Sequence, residues 1–74
     1  MLEVDARGLS CPMPLLKAKK GLNSVNAGER VQVLATDSGS WRDFAVFAEQ
    51  SGHLLLNAEQ NNGEYCYLLE KKAD

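Results

Sequence analysis

Pro12 and Pro14 stand on either side of Met13, directly after Cys11. Neither proline has a backbone N–H to donate, so this segment cannot lie inside a sheet or in the middle of a helix. It can open a helix, because the first-turn amides have no intrahelical acceptor there. Behind it, Leu15, Ala18, Leu22 and Val25 recur at helical spacing, with Lys17, Lys20 and Ser24 on the other side. The prolines therefore predict the start of a helix, with Cys11 just ahead of it. Gly21 inside that helix costs about 1 kcal/mol relative to alanine, so the helix depends on packing. Asn26-Ala27-Gly28 ends it.

The remaining pattern divides cleanly. Leu2, Val4 and Ala6 alternate with polar residues over 2–6, which reads as a short strand. Residues 29–36 form a second strand with Val31, Val33 and Ala35 on one face. After a turn at 37–40, Ser40 to Asp43 resembles a capping box with aspartate in place of the usual glutamate. A second helix follows to about Ser51. Its expected apolar stripe is Trp41, Phe44, Ala45 and Ala48, with Phe47 nearby, and Gly52 is placed to end it. Residues 53–60 and 64–71 read as a hairpin pair around Asn61-Asn62-Gly63. In the last strand Tyr65, Tyr67 and Leu69 face one way, and Cys66, Leu68 and Glu70 the other.

The order β-α-β-α-β-β, with no linker or internal repeat, predicts one domain spanning residues 1–74. The expected fold class is α/β in the α+β sense: a two-layer sandwich whose mixed four-stranded sheet carries both helices on one face. The β-α-β crossovers are expected to be right-handed. Cys66 then falls on the open face of the sheet.

Composition narrows the function. A net charge of −2 argues against a protein that binds nucleic acid by broad phosphate neutralisation. No apolar run approaches the roughly 20 residues that span a bilayer, and the N-terminus lacks the pattern of a signal peptide, so a cytoplasmic location is expected. Two cysteines and one histidine, with no CxxC, point to neither a disulfide framework nor a metal site. No cofactor is expected.

The position of Cys11 carries the chemistry. The residue before a proline is biased toward extended backbone, as an N-cap requires. Cys11 is thus expected as N-cap, with Pro12, Met13 and Pro14 as the first three helical residues. The helix dipole would then favour the thiolate and lower its pKa. Pro14 has no amide, so only Met13, and at a stretch Leu15, would be left to donate to the sulfur. The competing reading is a small apolar residue in a loop.

These residues resemble a known family. The stretches "DARGLSCPMPLLKAKKGLN", "ATDSGSWRDFAVFAEQSGH" and "YCYLLEKK" are similar to the TusA, or SirA-like, proteins over almost the whole chain. The signature is Cys-Pro-x-Pro preceded by Gly8-Leu9. The resemblance implies a small sulfur carrier whose CPxP cysteine, here Cys11, accepts sulfane sulfur as a persulfide. The implied donor is a cysteine desulfurase or rhodanese-like protein, and the acceptor is a further protein. Relays of this kind serve tRNA thiolation, sulfur oxidation or molybdenum-cofactor supply. Many relatives carry glutamate between the prolines, where this chain has Met13, and proline where it has Ser38.

Other residues are assigned as follows. Arg7, Lys17 and Lys20 are candidates for a basic rim that docks a partner near Cys11, and Met13 for an exposed apolar contact. Asp37, at the end of the second strand, is a turn residue that could lie near the same surface. Cys66 and His53 read as structural, and Trp41, Phe44 and Phe47 as core. A shallow site that serves protein substrates implies a monomer. The alternative to a carrier is a regulatory or adaptor module that uses the same surface without turnover.

Overall fold

The computed structural model describes residues 1–73. Its elements are β1 (Leu2–Ala6), α1 (Met13–Asn23), β2 (Arg30–Ala35), α2 (Ser40–Ser51), β3 (Leu54–Asn61) and β4 (Glu64–Glu70). All six expected elements are present, with ends within about two residues of the sequence reading.

The strand order in the sheet is β1-β2-β4-β3. β1 and β2 run parallel, from Leu2 opposite Val31 to Ala6 opposite Ala35. β4 runs antiparallel to both β2 and β3, so the sheet is mixed. The β2-α2-β3 connection therefore passes over β4 and leaves β4 in the middle, next to β2. At the tip of the hairpin, Asn62 and Gly63 have φ of 53° and 80°. That is the positive-φ pair a two-residue turn matching the sheet twist requires. A bulge at Leu56 breaks the β3–β4 register and leaves that leucine exposed.

One face of the sheet makes the core. Ala6, Val31, Val33, Ala35, Tyr65, Tyr67 and Leu69 are buried together with Ala18 and Leu22 of α1 and Phe44 of α2. Alternation within each strand is what puts these residues on one side. α1 lies against β1 and β2, and α2 against β3 and β4. Phe44 stacks on Tyr67 with ring centroids 4.1 Å apart and planes 6° from parallel. On the other face Cys66 is half-buried, and its sulfur accepts a hydrogen bond from Gln32 Nε2 at 3.0 Å.

Two readings of the core are corrected and one is extended. Trp41 is not interior: it is 45% exposed and leans on Tyr65 and Tyr67 from the rim, with centroids 6.2 and 6.3 Å away. Ala45 is exposed too, because α2 turns a narrower stripe to the sheet than its sequence offers. Gly21 is not merely a cost to α1. A Cβ there would sit 3.1 Å from Val4 Cγ2, 3.3 Å from Leu2 Cδ2 and 3.4 Å from Val31 Cγ1. The missing side chain is what lets the helix approach β1 so closely.

The segment after β4 is fastened to the one before β2. Lys71 donates its amide to Glu29 and its ammonium to Val25, and its carbonyl accepts from Gly28.

Candidate functional site

The parallel arrangement of β1 and β2 sends both following loops to the same end of the sheet. The β1–α1 loop brings Cys11 there, and the β2–α2 turn brings Asp37 and Gly39. The Gly8 amide donates to Thr36 Oγ1 at 2.9 Å and so fastens one loop to the other. Gly39 leaves little room: a Cβ at that position would lie 3.0 Å from Asp37 Oδ2 and 3.9 Å from Cys11 Cβ.

Cys11 is an exposed, free thiol. Its place at the helix differs from the expectation. Pro12, not Cys11, is the N-cap of α1, no side chain caps this helix, and the first helical residue is Met13. The Cys11–Pro12 peptide is cis. The Met13 amide, expected to face the sulfur, instead donates to the Ser10 carbonyl at 2.9 Å. Cys11 is therefore one residue further from the helix than an N-cap, and the amide expected to face it is already satisfied.

The partner of the sulfur is a carboxylate. Cys11 Sγ donates to Asp43 Oδ2 at 2.8 Å. Ionising the thiol would break this bond and set two anions in contact, so the Cys11 pKa is raised, first by the Asp43 hydrogen bond. Partial desolvation and the charges of Asp43 and Asp37 act in the same direction. This overturns the expected lowering by the helix dipole, because a carboxylate in direct contact outweighs a dipole end that begins two residues away.

The same geometry dismantles the expected capping box. α2 has Gly39 at its N-cap and no side-chain cap. Ser40 is buried, where its hydroxyl donates to the Asp37 carbonyl at 2.7 Å and shares a hydrogen bond with the Tyr67 hydroxyl at 2.7 Å. Asp43 turns outward to the sulfur instead of back to the helix start. Asp37 Oδ2 is buried without a hydrogen-bond partner among the described residues.

The expected basic rim does not form around Cys11. Arg7 makes two hydrogen bonds of 3.0 Å to Asp5 and lies 4.0 Å from Glu64. This pairing holds the Asp5 carboxyl down at about 2. Lys17 and Lys20 line an open groove of about 350 Å³ between α1 and β1, with Leu2, Val4 and Gly21 at its floor and Glu3 and Asp5 beside them. Met13 is exposed, as expected. Leu16, one turn on, is exposed to a similar extent (42% and 46%). Leu16 went unnoticed in the sequence because it sits beside Leu15 in what looked like a core stripe. His53 accepts a hydrogen bond from the Lys72 amide, and its ring lies 5.7 Å from that of Phe47, in keeping with a packing role. Among the described residues no group of histidine, cysteine and carboxylate side chains could hold a metal ion, and no helix is long and apolar enough to cross a membrane.

Fold and site together define a small α+β protein that presents one exposed cysteine between a proline-led helix and an acidic turn. The chain belongs to the TusA family: residues 2–71 match the family model described as sulfurtransferase TusA. It is 45% identical over 69 residues to the sulfur carrier protein TusA of Allochromatium vinosum, covering 93% of this chain and 91% of that protein. It is 40% identical over 68 residues to a putative sulfur carrier protein of Bacillus subtilis; these cover 92% of this chain but only 37% of that longer protein. Among solved structures, a SirA-like protein from Desulfitobacterium hafniense superposes with a TM-score of 0.82 at 31% identity, covering 99% of this chain and 100% of that one.

Proposed function

We propose that this protein is a sulfur carrier that holds sulfane sulfur as a persulfide on Cys11. The supporting observation is the exposed CPxP thiol itself, in a chain that matches relatives named as sulfur carriers along nearly its full length. In loading, the Cys11 thiolate attacks the outer sulfur of a donor persulfide. A new S–S bond forms to Cys11 as the donor's S–S bond breaks, and the donor thiol departs. Unloading is the same exchange run onto an acceptor thiolate, with no metal or organic cofactor taking part.

The partners are proteins, a donor of cysteine desulfurase or rhodanese type and an acceptor thiol protein, met in the cytoplasm by a monomer. A shallow, solvent-facing thiol suits macromolecular substrates better than an enclosed pocket would. Pro12 and Pro14 hold the loop ready. Met13 and Leu16 offer exposed apolar contact from the start of α1, and Asp37 stands in the neighbouring turn. Arg7, Lys17 and Lys20 lie in or near the β1 edge, where they would bear on a partner only at the margin of its footprint.

The test is intact mass after incubation with a cysteine desulfurase and cysteine, or with a rhodanese and thiosulfate. The expected result is a gain of one sulfur atom that reducing agent removes and that Cys11→Ser abolishes. No gain with either donor, or a gain that persists in Cys11→Ser, would refute the carrier reading.

A further inference from the structure

We infer that Asp43 is a positioning residue that biases sulfur off Cys11: it accepts a hydrogen bond from the S–H when the site is empty and opposes the persulfide anion when the site is loaded. The second half rests on the carrier reading above; the first concerns the empty protein alone.

Three observations carry the inference. Cys11 Sγ to Asp43 Oδ2 is 2.8 Å, so the carboxylate and the sulfur are in direct contact. The backbone gives the sulfur little help as an anion, since the Met13 amide is already bonded to Ser10 and Pro12 and Pro14 have none. A second carboxylate lies on the same side: Asp37 Oδ2 is buried and unpartnered beside Gly39, which also neighbours Cys11. The groups that face the thiol are thus Asp43 from α2 and Asp37 from the β2–α2 turn, with the Tyr67 hydroxyl of β4 behind them through Ser40. Both aspartates act against negative charge on the sulfur.

The consequence for handoff follows from where the charge sits. A persulfide is more acidic than the corresponding thiol, so loaded Cys11 carries its charge at neutral pH more readily than empty Cys11. In transfer, the loaded Cys11 anion first takes the proton of the acceptor thiol, and the acceptor thiolate so formed attacks the outer sulfur of the protonated Cys11 persulfide. The bond from that sulfur to Sγ breaks as the bond to the acceptor forms. Sγ leaves as a thiolate, the acceptor sulfur is oxidised, and Sγ is reduced. The acceptor persulfide then loses a proton and Cys11 gains one, so that its S–H again hydrogen-bonds to Asp43. Charge moves away from the aspartates onto the acceptor persulfide, and the S–H···O bond re-forms.

Asp43 also lies in the first turn of α2, where any acidic residue stabilises the helix. A purely structural role would lower stability and leave the sulfur chemistry unmoved. The experiment therefore reads protonation directly. In a Cys66→Ser background, the rate of iodoacetamide alkylation of Cys11 is followed against pH for the parent protein and for Asp43→Asn, Asp43→Glu and Asp43→Ser. The midpoint is expected to fall in the Asn and Ser variants and to stay near the parent's in Glu. Sulfur-loaded protein is then equilibrated with free cysteine. The uncharged variants should retain more sulfur, by about tenfold for each pH unit that the midpoint moves. Asparagine and serine are both well tolerated at a helix start, so at least one folded variant is available. An unchanged midpoint in folded uncharged variants overturns the inference, and so does a lowered midpoint with unchanged sulfur retention. The alkylation arm needs no sulfur donor, so its outcome is independent of whether the protein can be loaded.

Discussion

The Cys11 sulfur and the Asp43 carboxylate meet at 2.8 Å although 32 positions separate them in the chain. Their contact joins the loop before α1 to the first turn of α2, and so it is a tertiary link as well as a chemical one. Because the folded state raises the thiol pKa, its contribution to stability is fully present below the unfolded pKa and lost as pH rises through the folded one. The Tyr67 hydroxyl is pushed up as well, chiefly by burial, and adds a loss of the same sign at higher pH. Urea denaturation between pH 7 and 11 should show stability falling in the alkaline range. Cys11→Ala should remove the earlier part of the fall and leave the later part.

Acid behaves differently. Asp5 is held at about 2 by its bonds to Arg7, so its contribution is present above the ordinary carboxylate range and lost as pH falls toward 2. The pair is exposed and its effect small. Asp5→Asn should lower the melting temperature slightly at pH 7, and the difference from the parent should vanish near pH 2. A difference that grows on acidification would contradict the pairing.

The buried Ser40–Tyr67 hydrogen bond anchors the start of α2 to the central strand β4. Tyr67→Phe removes one hydroxyl and leaves Ser40 still bonded to the Asp37 carbonyl. The expected cost is about 1 kcal/mol, read by urea denaturation. Phe44→Ala, which removes the ring stacked on Tyr67, should cost about 3–5 kcal/mol. In a domain this small that is a large part of the total.

Gly21 sets the distance between α1 and the edge of the sheet. Gly21→Val would force atoms into the space now shared by Leu2, Val4 and Val31. The expected loss is about 1–3 kcal/mol from overpacking, measured by chemical denaturation. A stability gain from improved helix propensity would show that β1 yields easily.

The two thiols should separate by accessibility. Cys11 is exposed, whereas Cys66 is half-buried and hydrogen-bonded to Gln32. One equivalent of a maleimide should react quickly at Cys11 and a second slowly at Cys66. Cys66→Ser should load sulfur as the parent does. Equal loading of both cysteines would make Cys66 a second carrier site.

The elements and the faces of the strands were legible because the period of two is local. Tyr65, Tyr67 and Leu69 turn inward and Cys66 outward as alternation demands. The helix behind Pro12 and Pro14 was legible because missing amides admit few positions. The partner of Cys11 was not, because contact between a loop and a distant helix depends on which strand follows which across the sheet. Asp43 looked like part of a cap, and the one hint against it was the residue type. Aspartate is a carbon shorter than the glutamate that reaches back in a capping box, and here it points to the sulfur. Arg7, Lys17 and Lys20 misled for the opposite reason. Their nearness to Cys11 in sequence suggested a rim, but acidic groups of β1 lie closer in space.

The register of the sheet has one more consequence. Leu2 lies level with Val31, and Glu70 with Arg30, at the end of the sheet away from Ala6 and Ala35. β1 thus begins and β4 ends at the pole opposite Cys11. A second domain joined before β1 or after β4 would extend away from the sulfur and leave it open to visitors. The fold in this sense keeps its sulfur pole apart from its joints, and the Bacillus subtilis relative, of which the matched segment is 37%, is a longer protein.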